Sequence, residues 1–242
     1  MTETTRKIVV VGDGMVGKTA LLSAFVNGAF QDCYIPTVFE TSAKEVDLPD
    51  GRHLTLGLWD TGGQEEFDQI RQLAYPGASL IMLCYAVDCP TSLENIVHTW
   101  LDEVKCYCPQ IPLILVGCKA DKRVVIAPGK SNNLTMNASH TALIDPNDVE
   151  KVSKQIGAQI VIECSALTRS NVNSLFELAA RIILDVEREN TRASKFYNIL
   201  PIHRKKSISN GAVTGNSVIT RRSSGLKRRI SSSNYFCFLR RR

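Results

Sequence analysis

Short apolar, β-branched runs alternate along the chain with longer stretches in which apolar residues recur every three or four positions. That rhythm belongs to strands joined by crossover helices, so the fold class is α/β, with a mostly parallel sheet and helices on both faces. It predicts strands at Lys7–Val11, His53–Trp59, Ser79–Val87, Pro112–Gly117 and Gln159–Glu163, and helices at Lys18–Asn27, Ser92–Cys106, Pro146–Ile156 and Asn171–Glu189. In the last helix Val172, Leu175, Phe176, Leu178, Ala179, Ile182, Ile183 and Val186 form one broad apolar stripe, the mark of a core-facing surface. Pro90-Thr91-Ser92 and Asp145-Pro146 supply capping and first-turn chemistry at two helix starts. The rhythm breaks over residues 122–148, where Pro128-Gly129 and the polar Ser131-Asn132-Asn133 run predict a surface insertion. It fails beyond about Asn190, where Ser, Arg, Lys and Asn dominate and a disordered extension is expected.

Composition sharpens that division. A chain of 242 residues, 44% hydrophobic and 22% charged, fits one soluble domain with an extension and excludes a membrane bundle or a collagen-like repeat. Of its 29 basic residues, 13 fall in positions 190–242, which hold no Asp or Glu, so positions 1–189 carry 16 basic against all 24 acidic residues. An acidic body therefore bears a basic tail. The apolar run Leu80 to Val87 is too short to span a bilayer, and the polar MTETTRK start is no signal peptide, so the expectation is a soluble intracellular protein. The eight cysteines read as reduced core thiols under that expectation, and Cys106-Tyr107-Cys108 lacks the spacing of a zinc pair.

The chemistry begins where the first strand meets the first helix. Gly12-Asp13-Gly14-Met15-Val16-Gly17-Lys18-Thr19 matches G-x-x-x-x-G-K-[ST] in the strand-to-helix context the motif requires. Glycines let the backbone N–H groups wrap a phosphate, and the helix N-terminus adds a favourable dipole. Lys18 supplies charge to the β and γ phosphates, and the Thr19 hydroxyl is a ligand for Mg²⁺. Without that context the same residues are a glycine-rich turn with an exposed lysine.

Four more segments follow in order: Tyr34-Ile35-Pro36-Thr37-Val38-Phe39-Glu40, Leu56-Gly57-Leu58-Trp59-Asp60-Thr61-Gly62-Gly63-Gln64-Glu65, Gly117-Cys118-Lys119-Ala120-Asp121 and Glu163-Cys164-Ser165-Ala166-Leu167. With the phosphate loop they make the chain resemble the Ras superfamily of small GTPases, and within it the Rho family, over roughly residues 6–188. The resemblance implies a P-loop NTPase G domain over residues 1–189, with a Rho-type insertion at about 122–148, followed by the basic, disordered extension 190–242. It implies a GTP/GDP-dependent switch that hydrolyses GTP slowly without an activating protein, with GTP or GDP and Mg²⁺ as its cofactors. Gln64 then orients the attacking water, with Lys18 and Thr37 as the other catalytic residues, and Thr37 contacts Mg²⁺ and the γ-phosphate only in the triphosphate state. Thr19 and Thr37 are direct metal ligands and Asp60 acts through water. The nucleotide site comprises residues Gly12, Asp13, Gly14, Met15, Val16, Gly17, Lys18 and Thr19, the aromatic Phe30 near the guanine edge, and the γ-phosphate sensor Gly63. Asp121 pairs with two guanine N–H groups, Lys119 lies along the base, Ala166 offers its backbone, and Cys118, Ser165 and Leu167 complete the base site. The implied partners are effectors at the two switches, guanine-nucleotide exchange factors and GTPase-activating proteins. A monomer is expected, with no nucleic acid bound.

The chain also departs from that family. Position 118 normally carries Asn or Thr, and Cys118 offers only weak hydrogen bonding, a loss of roughly 0.5–1.5 kcal/mol and so faster exchange. Gly62 replaces an alanine and gives switch II backbone freedom. Gln69 and Gln72 stand where Rac and Rho relatives usually have Arg and Pro. Retained Gln64 and Gly14 favour a cycling enzyme; a mostly GTP-bound interaction module is the alternative, and a P-loop kinase or ATPase a third reading. The chain ends Cys237-Phe238-Leu239-Arg240-Arg241-Arg242, which does not meet the C-a-a-X prenylation pattern. Cys237 is a palmitoylation candidate or an inert or intermolecular thiol. The basic clusters suit an anionic membrane surface at ~1 kcal/mol per charge, which predicts a cytoplasmic protein held peripherally on the cytoplasmic face of membranes; a solvated tail or a nuclear-import patch remains the alternative.

Overall fold

The computed structural model describes residues 5–30, 36–125 and 143–199. The expectations for Tyr34 and Ile35, for the interior of the insertion with Pro128-Gly129, and for the tail with Cys237 fall outside these residues. Contacts divide the chain into units Met1–Thr191 and Arg192–Arg242, and the description below is of the first, with only its last helix running on.

Each short apolar run forms a strand: β1 at Arg6–Gly12, β3 at His53–Thr61, β4 at Leu80–Ala86, β5 at Leu113–Cys118 and β6 at Ile160–Glu163, with β2 at Phe39–Asp47. They form one sheet in the order β2-β3-β1-β4-β5-β6. Every pairing is parallel except that of β2 with β3. The near-continuous apolar runs are explained by burial on both faces, since all residues of β4 and β5 are buried. Alternate residues divide the core in two. Ile8, Val10, Leu58, Met82 and Val116 pack against α1 (Lys18–Val26) and α6 (Val172–Ile199), where Phe25 and Phe176 stack with ring centroids 3.7 Å apart. Val9, Val11, Leu83, Tyr85 and Leu115 face the opposite way, toward α3 (Pro90–Asn95), α4 (Leu101–Tyr107) and α5 (Pro146–Ile156).

Four findings were not foreseen, one of them a short helix after β3, α2 (Asp68–Gln72). β2 is an edge strand whose residues are mostly exposed, so its FETSAKEVD sequence carries no apolar run to mark it. The predicted helix 92–106 is interrupted by a π-helical turn, Ile96–Trp100, between α3 and α4. α6 continues past Glu189 to Ile199, through residues whose composition signals only a loss of acidic charge. By contrast α5 begins and ends where predicted: the Asp145 carboxylate accepts from the Asn147 N–H at 2.8 Å, Pro146 occupies the first turn, and Gly157 closes the helix at φ 70°.

The thiol expectation holds for most described cysteines. Cys84, Cys108, Cys118 and Cys164 are free and buried and Cys89 is free and exposed, whereas Cys106 is disulfide-bonded. Burial, helped by the neighbouring Cys118, pushes the Cys164 thiol up to about 12. Because the thiolate is the nucleophile, its reactivity appears only as pH rises toward that value. Alkylation of the native protein at pH 8, read by mass spectrometry, is expected to label Cys89 and leave Cys84, Cys108 and Cys164 unlabelled until the protein is unfolded.

Candidate nucleotide-binding site

The carboxyl ends of β1, β3 and β5 converge where the strand order reverses about β1, the usual place for a ligand in an open α/β sheet. β1 ends at Gly12 and α1 starts at Lys18, with Gly17 at φ 111° turning the chain and making no side-chain cap. The N–H groups of the first turn are therefore directed at the loop's concave side. Lys18 is only 6% exposed, and its ammonium donates to the carbonyls of Gly12 and Asp13, each at 2.7 Å. Burial lowers its pKa, opposed in part by nearby Asp60 and Asp13.

Beside the loop, the hydroxyls of Thr19 and Thr37 lie 2.7 Å apart. Asp60, at the end of β3, is 4% exposed, and neither carboxylate oxygen has a hydrogen-bond partner. Burial raises its pKa, with the Thr19 hydroxyl and the Lys18 ammonium acting the other way. Two hydroxyls beside an unpaired buried carboxylate are hard oxygen donors, so these residues fit Mg²⁺. Gly63 lies directly on the loop: a Cβ there would come 2.3 Å from the Gly12 carbonyl oxygen and 2.5 Å from the Gly14 nitrogen. Only glycine brings its backbone so close.

On the β5 and β6 side, Ser165 donates to Asp121 Oδ1 at 2.5 Å and accepts from the Thr168 N–H at 3.1 Å. The Ala120 N–H bonds the Cys164 carbonyl at 3.0 Å. Lys119 adopts φ 62°, with its ammonium 3.9 Å from Asp88 Oδ1. Cys118 is buried under the phosphate loop, its Cβ 3.4 Å from where a Gly17 Cβ would sit.

A cavity of about 370 Å³ joins these parts. Of the residues expected from sequence, it is lined by Gly14, Met15, Gly17, Lys18, Thr19, Phe30, Thr37, Gly63, Gln64, Cys118, Lys119, Asp121, Ala166 and Leu167. The others stand behind it: Gly12 ends the strand, Val16 and Asp60 are buried, and Ser165 is buried and holds Asp121. Asp13 turns its side chain away, accepting from Asn95 Nδ2 and Trp100 Nε1, each at 2.7 Å.

Sequence reading missed that support altogether. The Arg71 guanidinium, 3% exposed, donates to the Gly62 carbonyl at 2.8 Å, to both Glu103 oxygens at 2.7 and 2.8 Å, and to Asp68 at 2.5 Å, while lying 4.7 Å from the Trp100 ring. Tyr75 adds its hydroxyl to Glu103 at 2.6 Å. Burial works against the Arg71 charge, but Glu103 and Asp68 more than offset it, so its pKa is raised. Behind the base side, Arg123 is bidentate to Glu163 at 2.6 and 2.7 Å and donates to the Ile144 carbonyl at 2.8 Å. It thus ties both ends of the insertion to β6. Partners 32 and 40 positions apart leave no local sequence signal.

The fold and site define a P-loop nucleotide-binding domain. The Ras family profile matches residues 7–185. The chain is 43% identical over 180 residues to GTP-binding protein rho5 of Schizosaccharomyces pombe, covering 74% of this chain and 88% of that one. It is 44% identical over 180 residues to GTP-binding protein rho1 of the same organism, covering 74% and 87%. To GTP-binding protein RHO1 of Candida albicans it is 40% identical over 193 residues, covering 80% and 95%. The chain belongs to the Ras family and, through these relatives, to its Rho branch: it is a small GTPase, a switch that binds GTP or GDP with Mg²⁺ and hydrolyses GTP. Proteins of this class bind effectors, exchange factors and activating proteins.

The buried Arg71 network yields a stability prediction. Replacing Arg71 by Ala leaves the half-buried Glu103 without its cation and the Gly62 carbonyl without its donor, a change expected to cost about 2–3 kcal/mol, below the range for a fully buried pair. Denaturant unfolding of Arg71→Ala is expected to show a loss of that order, larger than that of Arg71→Lys, which keeps the charge.

Proposed function

We propose that this chain cycles between GTP and GDP with Lys18, Thr37 and Gln64 as its working residues. The observation that carries the reading is the contact of the Thr19 and Thr37 hydroxyls beside the unpaired Asp60 carboxylate. Lys18 holds the β and γ phosphates with a charge that burial leaves poorly solvated, so its attraction to anions is strong. Thr19, Thr37 and Asp60 would hold Mg²⁺, and the ion, when bound, would neutralise charge on the phosphates. Thr37 ties switch I to the triphosphate, so loss of the γ-phosphate releases that loop. Gly63 offers its N–H to the γ-phosphate, and Gln64 orients the attacking water with an amide that both donates and accepts.

Asp121 reads the base. Ser165 engages one of its oxygens, yet a carboxylate has about four acceptor sites, leaving capacity for the ring and exocyclic N–H groups of guanine. Adenine lacks that donor pair. Gly14 favours assisted hydrolysis: a Cβ there would meet only Gln64 Cγ, at 3.8 Å, so there is room for an arginine brought by an activating protein. Retained Gln64 favours this cycle over a permanently GTP-bound module. The expected result is that purified protein carries guanine nucleotide, binds GTP far more tightly than ATP, and loses both on Lys18→Ala. Single-turnover hydrolysis should be slow in the parent and fall further in Gln64→Leu, which keeps GTP binding. Equal affinity for ATP and GTP, or unchanged hydrolysis in Gln64→Leu, refutes these roles.

The reading extends to the whole chain: a monomeric G domain over residues 1–189 presents Val38, Ile70 and Leu73, exposed apolar residues of the switches, to protein partners. No helix among the described residues is long and apolar enough to cross a membrane. The basic residues of positions 190–242 act as an electrostatic tether to the anionic cytoplasmic face. Arg221-Arg222-Ser223-Ser224 and Arg228-Arg229-Ile230-Ser231 place hydroxyls inside the charge clusters, where each phosphate cancels about 1.5–2 charges. Partitioning onto anionic vesicles is expected to fall with salt, with truncation after Glu189, and with Ser224→Glu and Ser231→Glu; equal partitioning of all versions removes the tether.

A further inference from the structure

Asp88 follows β4 on a turn that the Cys89 N–H closes on the Ala86 carbonyl at 3.0 Å. Beside it, the Val87 N–H donates to the Cys118 carbonyl and the Val87 carbonyl accepts from the Ile144 N–H, each at 3.0 Å. The chain neighbours of Asp88 and Lys119 are thus bonded to each other, which fixes one residue against the other. The Asp88 side chain is 16% exposed, and its buried oxygen Oδ1 has no hydrogen-bond partner. What faces that oxygen is the Lys119 ammonium, 3.9 Å away. Among the described residues Asp88 is the one carboxylate paired with Lys119. Lys119 runs at φ 62°, a left-handed backbone uncommon outside glycine, and lines the nucleotide cavity. A carboxylate oxygen withdrawn from water and given no N–H of its own keeps its charge undiluted, so it pulls on the ammonium more strongly than a surface pair does.

We infer that Asp88 is a positioning residue of the base site: it holds the far end of Lys119, so that the alkyl stem lies along the guanine instead of swinging into solvent. Asp88 does not line the cavity and acts through the lysine. The inference rests on the reading of Lys119 as the residue that covers the base. A lysine side chain that is 37% exposed has rotamer freedom to lose when it is pinned on a ligand. A counter-ion already in place removes part of that cost, which is pre-organisation of the binding surface.

The test measures release of a fluorescent GDP from the full chain with Mg²⁺ present, by stopped flow, for the parent, Asp88→Asn, Lys119→Gln and the double variant; thermal unfolding checks that each is folded. Asp88→Asn keeps the shape and removes the charge, and release is expected to quicken about three- to tenfold. In the Lys119→Gln background the same change is expected to add nothing, because the counter-ion has lost its lysine. Equal acceleration in both backgrounds, or none in either while Lys119→Gln alone releases faster, overturns this inference and leaves the reading of Lys119 standing. Unchanged release in Lys119→Gln overturns both. If Lys119→Gln takes up no nucleotide, or Asp88→Asn does not fold, Asp88→Glu and Asp88→Ala decide. Recovery of the parent rate in Asp88→Glu with fast release in Asp88→Ala supports a charge that acts on the lysine, and equal release by the two overturns it.

Discussion

The buried ammonium of Lys18 is the constraint around which the site is arranged. A lysine with 6% exposure has lost most of its water, and two loop carbonyls compensate only part of that loss. Its pKa falls for that reason. Asp60 faces the converse difficulty at the end of the neighbouring strand, where burial raises its pKa and the nearby Thr19 hydroxyl and Lys18 ammonium only partly oppose it. The parallel pairing of β1 with β3, Val10 beside Asp60, brings the two problems to one place. A phosphate answers the first and a divalent cation the second, so each ligand relieves a cost that folding imposes. That is why a doubly buried sheet is needed: exposed strand ends would let water solvate both groups, and the site would gain little by binding.

Such a site must be held from behind. Asp13 closes the loop onto α3 and the π-helical turn through Asn95 and Trp100. Trp100 in turn lies against the Arg71 guanidinium, which fixes the Gly62 carbonyl and is itself fixed by Glu103. The π-helical turn brings an indole N–H within reach of Asp13 while α4 presents Glu103 to Arg71. One helix system therefore positions the phosphate loop and switch II together, and a shift in either is felt by both.

Legibility in the sequence followed the range of the interaction that mattered. The central strands were readable because burial on both faces writes an unbroken apolar run, and α5 was readable because its cap and stop are local. β2 was not, since an edge strand held by backbone bonds to β3 needs no apolar run. In the site, Lys18, Thr19, Gly63 and Asp121 were visible in local motifs. Arg71 with Glu103, and Arg123 with Glu163, were not, because an ion pair closed by tertiary folding leaves two ordinary charged residues in the sequence. The departures at 62 and 118 were visible as letters, but their meaning depended on neighbours: Phe67 and Thr37 for Gly62, and the phosphate loop for Cys118.

Those two substitutions act on opposite halves of the site. Cys118 packs its Cβ under Gly17 and gives up a strong hydrogen-bonding group in return, so the base loop is held to the phosphate loop by contact rather than by a directional bond. On the same side of the site Arg123 holds Glu163 and the Ile144 carbonyl together through its guanidinium fork. Gly117 permits that brace, because a Cβ on it would meet the Tyr85 hydroxyl at 2.7 Å and Glu163 Cγ at 2.8 Å. At the γ-phosphate side the contact is close: a Cβ on Gly62 would lie 2.6 Å from the Thr37 carbonyl oxygen and 2.5 Å from Cδ2 of Phe67. The base half is thus joined to the loop by softer contacts and the switch half by closer ones, and the two meet at Lys18, whose charge neither half can hold alone.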